Sequence, residues 1–145
     1  MHSKLTVYIE TSIISYLTAR PSNDVRAAAY QNITAEWWDN HRINFKLYVS
    51  EFVVTESARG NKEAAARRLL AIEDIPDLRV TEDVMDLAKT LINKNALPAK
   101  AEMDALHIAV SAVNGINFLL TWNCTHIANA VMRPKIETTC RVDSF

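Results

Sequence analysis

Three carboxylates and one amide are the residues in this chain whose types and places could do chemistry together: Glu10, Glu56, Asp104 and Asn123. Glu10 ends the apolar run "KLTVYIE", Glu56 lies within "SEFVVTESARG", Asp104 opens "DALHIAVSAVNG", and Asn123 closes "INFLLTWN". An oxygen-only set of this kind suits a hard divalent cation, Mg²⁺ or Mn²⁺, which keeps several waters and shares them with substrate phosphates. Carboxylates gathered without a cation repel one another and raise their own pKa values, so a cluster is either metal-bound or partly protonated. Each member also has a plainer reading. Asp104 could simply answer the positive end of a helix dipole. Glu56 could lie on a solvated helix face, with Glu51 competing for its position. For Glu10 the plain reading is weaker, because a carboxylate straight after "VYI" lies beside the core, where charge is costly unless paired or coordinated.

The elements around these residues alternate. "KLTVYIE", "FKLYVS", "DLRVT" and "INFLLTWN" read as strands from their β-branched and aromatic content. "TSIISYLTA" reads as a short helix with Thr11 or Ser12 as its hydroxyl cap. A second helix opens at Pro21-Ser22 and runs to about His41, with Val25, Ala29, Ile33 and Trp37 as its core-facing stripe. Ser50 caps "EFVVTESARG", which Gly60 ends, and Asn61 starts the helix "NKEAAARRLLAI". Thr81 caps a helix that stops before Pro98, and Gly115 ends another with Ala105, Ile108, Ala109 and Ala112 along one side. A last helix breaks near Pro134. Strand–helix alternation predicts an α/β fold with a mainly parallel sheet of four to five strands between two helical layers. Sites in such folds lie at the C-terminal edge of the sheet, which is where Glu10, Ser50 and Thr121 to Asn123 fall.

At 145 residues and 49% hydrophobic content the chain suits one domain, residues 1–145. The formal net charge of -1, from 16 basic and 17 acidic residues, gives no whole-chain field for DNA or an anionic membrane, although a bound cation would bring its own charge to a nucleic-acid substrate. The absence of a membrane-length apolar run or signal-peptide core points to the cytoplasm. Cys124 and Cys140 match neither a disulfide framework nor a zinc site and are expected to be reduced structural thiols. Two glycines in the whole chain leave no Gly-rich phosphate loop, which disfavours a nucleotide-binding α/β protein.

"VYIETSIISYL", "YVSEFVVTESARG", "AEMDALHIAVSAVNGINFLLTWN" and "THIANA", in that order and at these separations, resemble the PIN-domain proteins. The likeness is close to the VapC-like ribonuclease toxins of prokaryotic toxin–antitoxin pairs and spans nearly the whole chain. It implies a three-layer α/β/α fold and Mg²⁺- or Mn²⁺-dependent hydrolysis of RNA phosphodiester bonds. It places the metal on Glu10, Glu56 and Asp104, with Asn123 orienting a water or donating to phosphate. Thr11, Ser12 and Thr121 would brace the carboxylates. It further implies a homodimer, an antitoxin partner covering the acidic edge, and a final strand near the C-terminus, to which either "CRVDSF" contributes a short piece or which the sequence lacks. Two positions depart from the family pattern. Glu10 is one methylene longer than the usual Asp, and His126 stands where many relatives carry another Asp. Both favour weaker cation binding and keep open an alternative, a PIN-like module of little catalytic power that binds RNA or a protein.

Other residues invite functional readings that local structure can also explain. His107, one turn after Asp104, reads as a helix residue bonded to neighbouring backbone in preference to a general base, and His126 as a rim residue of the site. Trp37 and Trp38 could stack on bases, but a split between the core and a partner surface is preferred. Arg20, Arg59, Arg67 and Arg68 could meet RNA phosphates, yet such charges usually form a solvated face.

Overall fold

The structure is a computed structural model that describes residues 4–94 and 101–123. Cys124, His126, the helix near Pro134, Cys140 and "CRVDSF" lie outside the described residues, as does the expected helix stop before Pro98.

The strand β1 (Leu5–Ile9) is central, and pairs in parallel with β2 (Phe45–Ser50) on one side and β4 (Phe118–Leu120) on the other. The edge strand β3 (Asp77–Leu78) pairs in parallel with the end of β2, giving the order β3-β2-β1-β4. Among the described residues six α-helices flank this sheet: α1 (Thr11–Thr18), α2 (Val25–Asn40), α3 (Glu51–Ser57), α4 (Lys62–Ile72), α5 (Glu82–Asn93) and α6 (Glu102–Val113). The fold is thus an α/β sandwich around a parallel sheet, as the alternation of elements requires. Among the described residues no helix is long and apolar enough to cross a membrane.

Strand alternation decides what each face of the sheet can do. Val7 and Ile9 share a face with their neighbours Phe45, Leu47 and Val49, and Phe45 stacks on Trp37 of α2 with ring centroids 6.0 Å apart. Tyr8 and Ser50 point to the opposite face, where Tyr8 meets His107 of α6. Both faces contribute to the core: Tyr8, Ile9, Val53, Leu91, Ala105 and Val110 are among the buried residues. Each large apolar side chain there contributes on the order of 1.5–3 kcal/mol relative to exposure.

Local caps agree with the sequence in most places. Ser50 Oγ accepts from the backbone N–H of Phe52 and Val53 to start α3, Asn61 caps α4 and Thr81 caps α5. Gly60 and Gly115 both adopt positive φ after α3 and α6. Three details differ from expectation. The cap of α1 is the Glu10 carboxylate, which accepts from the N–H of Ser12, because the Thr11 and Ser12 hydroxyls are drawn to carboxylates instead.

The stripe on α2 is also displaced. Trp37 of the expected stripe packs against the core, but Val25 is 85% exposed, Ala29 and Ile33 are exposed, and the buried residues are Thr34 and Trp38. Asp24, not Pro21-Ser22, caps this helix, and it docks through polar and aromatic contacts that an apolar count overlooks. Trp122 Nε1 donates to Thr34 Oγ1 at 2.8 Å, the Trp122 ring stacks on Tyr30, and Arg42 lies over the Trp38 ring. Finally, β3 and β4 are shorter than "DLRVT" and "INFLLTWN". Thr81 is needed as the cap of α5, and beyond Leu120 the chain turns so that Thr121 and Trp122 can bond to Glu10 and Ser12.

Candidate active site at the sheet edge

β1 delivers Glu10 to the C-terminal edge of the sheet, where its N–H donates to Leu120 O of β4 at 3.1 Å. Its side chain folds back onto α1 and caps that helix. Oε2 accepts from Ser12 N–H at 3.1 Å, and Oε1 accepts from Ser12 Oγ at 2.5 Å and Thr121 Oγ1 at 2.6 Å. The residue is only 8% exposed, and these three bonds offset much of the cost of a carboxylate at the core margin.

α3 brings Glu56 alongside. Its Oε1 accepts from Thr11 Oγ1 at 2.6 Å and lies 2.8 Å from His107 Nε2, while its side chain stays about a quarter exposed, at 25%. Burial alone would raise this carboxyl; hydrogen bonds from His107 and Thr11, followed by charge interactions with His107 and then Arg59, outweigh it and hold the group below the ordinary Glu value. Glu51 turns elsewhere, facing Arg79 at 3.8 Å. Of the two glutamates in this helix, Glu56 is the one at the edge.

Asp104, in the first turn of α6, accepts from Asn123 Nδ2 at 2.7 Å. The Asn123 backbone N–H donates to Thr121 Oγ1, which itself donates to Glu10. Glu10, Thr121, Asn123 and Asp104 therefore form one connected hydrogen-bonded set. The tighter metal-ligand grouping is Glu10, Glu56 and His107, with one donor atom from each within 4.8 Å of the others. Asp104 is joined to this group through Asn123 and through the single helical turn that separates it from His107.

His107 is where the sequence reading missed. It does not bond to neighbouring backbone. Its ring is 1% exposed, with Nδ1 2.6 Å from Tyr8 Oη and Nε2 facing Glu56. Tyr8, which carried no functional reading, is fully buried and its oxygen lies 2.7 Å from Ser50 Oγ. Burial pushes the Tyr8 phenol far above its ordinary value, and the Glu10 and Glu56 carboxylates add to the effect, against a lowering hydrogen bond from Ser50. The signal was present in the alternation of β1, which turns Tyr8 away from Val7 and Ile9 toward the face covered by α6.

The arginines are largely committed within the chain. Arg20 and Arg67 pair with Glu63, Arg67 also donates to Thr18 O, and Arg68 donates to Ser57 O and Arg59 O. These bonds tie the ends of α1 and α3 to α4.

A parallel α/β sheet whose C-terminal edge gathers Glu10 and Glu56, with the Asp104–Asn123 pair beside them, has its counterpart in one family model: the PIN domain matches residues 7–123. This chain belongs to the PIN-domain family. Searches of curated proteins and of solved structures return no match. PIN domains are generally metal-dependent nucleases, and the donor set here is compatible with a divalent cation: the braced carboxylates Glu10 and Glu56 offer oxygen ligands beside the His107 ring, with Asp104 on the same helix as His107.

Proposed function

We propose that this PIN domain is an Mg²⁺- or Mn²⁺-dependent endoribonuclease of the VapC-like type, the toxin of a toxin–antitoxin pair. The observation that carries the reading is the convergence of Glu10 and Glu56, each fixed by hydroxyl donors, at the C-terminal edge of a PIN-domain sheet. Glu10, Glu56 and Asp104 would hold the cation. Bound there, a divalent cation supplies Lewis acidity, making water a better nucleophile and neutralising charge on the phosphate and the leaving oxygen.

The residues of the chain do the positioning. Thr11 holds Glu56, and Ser12 and Thr121 hold Glu10, so both carboxylates are fixed in place before a ligand arrives. Asn123 steadies Asp104 through its amide hydrogens, and on this reading it also orients water or donates to the scissile phosphate. A partner that inhibits the enzyme would cover this acidic edge, and a homodimer is the assembly that accompanies this type.

The test is cleavage of a fluorescent single-stranded RNA with Mn²⁺, in wild type and Asp104→Asn. Wild type should cleave, EDTA should stop it, and the variant should lose activity while keeping its melting temperature. Equal cleavage by both proteins would sink the assignment. RNA binding by wild type without cleavage at saturating Mn²⁺ would instead mark a binding module.

A further inference from the structure

The chain of contacts from Ser50 to Glu56 has a direction that can be read from donor counts. Ser50 Oγ has two lone pairs, and both are engaged by the N–H groups of Phe52 and Val53 at 3.2 and 3.4 Å. Its own hydrogen must then go to its remaining neighbour, Tyr8 Oη, at 2.7 Å. Tyr8 in turn directs its hydrogen to His107 Nδ1 at 2.6 Å, so Nδ1 is an acceptor and the ring hydrogen is on Nε2. That hydrogen points at Glu56 Oε1, 2.8 Å away.

We propose that Tyr8 and His107 are positioning residues. A one-way hydrogen-bond chain runs from the N-terminus of α3 through Ser50, Tyr8 and His107 and locks Glu56 Oε1, and His107 acts as a donor to Glu56, not as a metal ligand. The inference rests on the nuclease reading for its purpose but not for its geometry. Phe52, edge-on to the His107 ring with centroids 6.1 Å apart, restricts it further. Thr11 and His107 both bond to Oε1, and among the described residues Oε2 accepts no hydrogen bond. One oxygen is thereby fixed and the other left for a cation. α3 holds both ends of the chain, since Ser50 caps it and Glu56 lies near its last turn, so movement of the helix would move cap and carboxylate together.

The tautomer can be read directly from ring ¹⁵N chemical shifts of the metal-free protein at about pH 8, above the ordinary imidazole value. The expected result is a His107 ring protonated at Nε2, shifting toward a mixture in Tyr8→Phe; a ring protonated at Nδ1 would overturn the inference without any variant. Mn²⁺ calorimetry supplies the functional arm. His107→Gln, which can still donate to Glu56, should bind within a few-fold of wild type, whereas His107→Leu should lose about 10–100-fold. Equal losses in both variants would mark His107 as a ligand and refute the donor role. A wild type that binds no Mn²⁺ would defeat the nuclease reading, while the ring shifts would still decide the chain.

Discussion

Replacing Thr121 by Val keeps the shape of the side chain and removes one hydroxyl that does two things. The O–H donates to Glu10 Oε1 at 2.6 Å and its oxygen accepts from the Asn123 N–H at 2.9 Å, so it ties the segment after β4 to the end of β1 and to the residue that steadies Asp104. A hydrogen bond to a charged group contributes about 1.5–3 kcal/mol, and the half-buried setting places this one near about 2 kcal/mol. For a domain of this size that corresponds to a fall in melting temperature of about 4–8 °C. The Glu10 carboxylate would keep its two bonds from Ser12 but lose its brace from Thr121, and Mn²⁺ affinity should fall about tenfold. Differential scanning calorimetry and Mn²⁺ titration measure the two effects, with Thr121→Ser as the control that keeps the hydroxyl. If Thr121→Val matches Thr121→Ser in both, the hydroxyl does not brace the site and the reasoning fails.

Two further outcomes follow from the same structure. Because the Glu56 carboxyl is held below its ordinary value of 4.5, the unfolded chain binds more protons in acid, and the stability Glu56 contributes is present above about that value and lost as pH falls through its lower folded value. Urea unfolding across this range should show a steep acid limb in wild type and a flatter one in Glu56→Gln; parallel limbs would contradict the shift. Ser57 is fully buried and its hydroxyl has no partner among the described residues, so Ser57→Ala should be neutral or stabilising by up to about 1 kcal/mol, and a clear loss in denaturant midpoint would refute this.

What the sequence made legible follows from how local each signal is. "VYIE" marks a buried strand with a charge at its end because β-branched and aromatic residues fit a pleated core and Glu10 interrupts them. Ser50, Asn61 and Thr81 were readable as caps because capping depends on residues only two or three positions away. The face of α2 was not. Of its expected stripe Trp37 does pack on Phe45, but Val25 and Ile33 are exposed and the buried residues are Thr34 and Trp38, since partners such as Trp122 are chosen by tertiary packing and aromatic geometry. The same limit applies within the site. Glu10 and Glu56 could be placed at an edge from the order of strands, but the contact of Tyr8 with His107 joins positions 99 residues apart, and only the crossing of β1 by α6 reveals it.

The central claim is that the Glu10 and Glu56 carboxylates share a divalent cation. Anomalous diffraction from a Mn²⁺-soaked crystal tests it most directly. The account predicts a peak bonded to both carboxylates, with Asp104 in the same coordination shell directly or through water and with His107 still hydrogen-bonded to Glu56. No peak at saturating Mn²⁺, or a peak whose ligands include neither Glu10 nor Glu56, would contradict it.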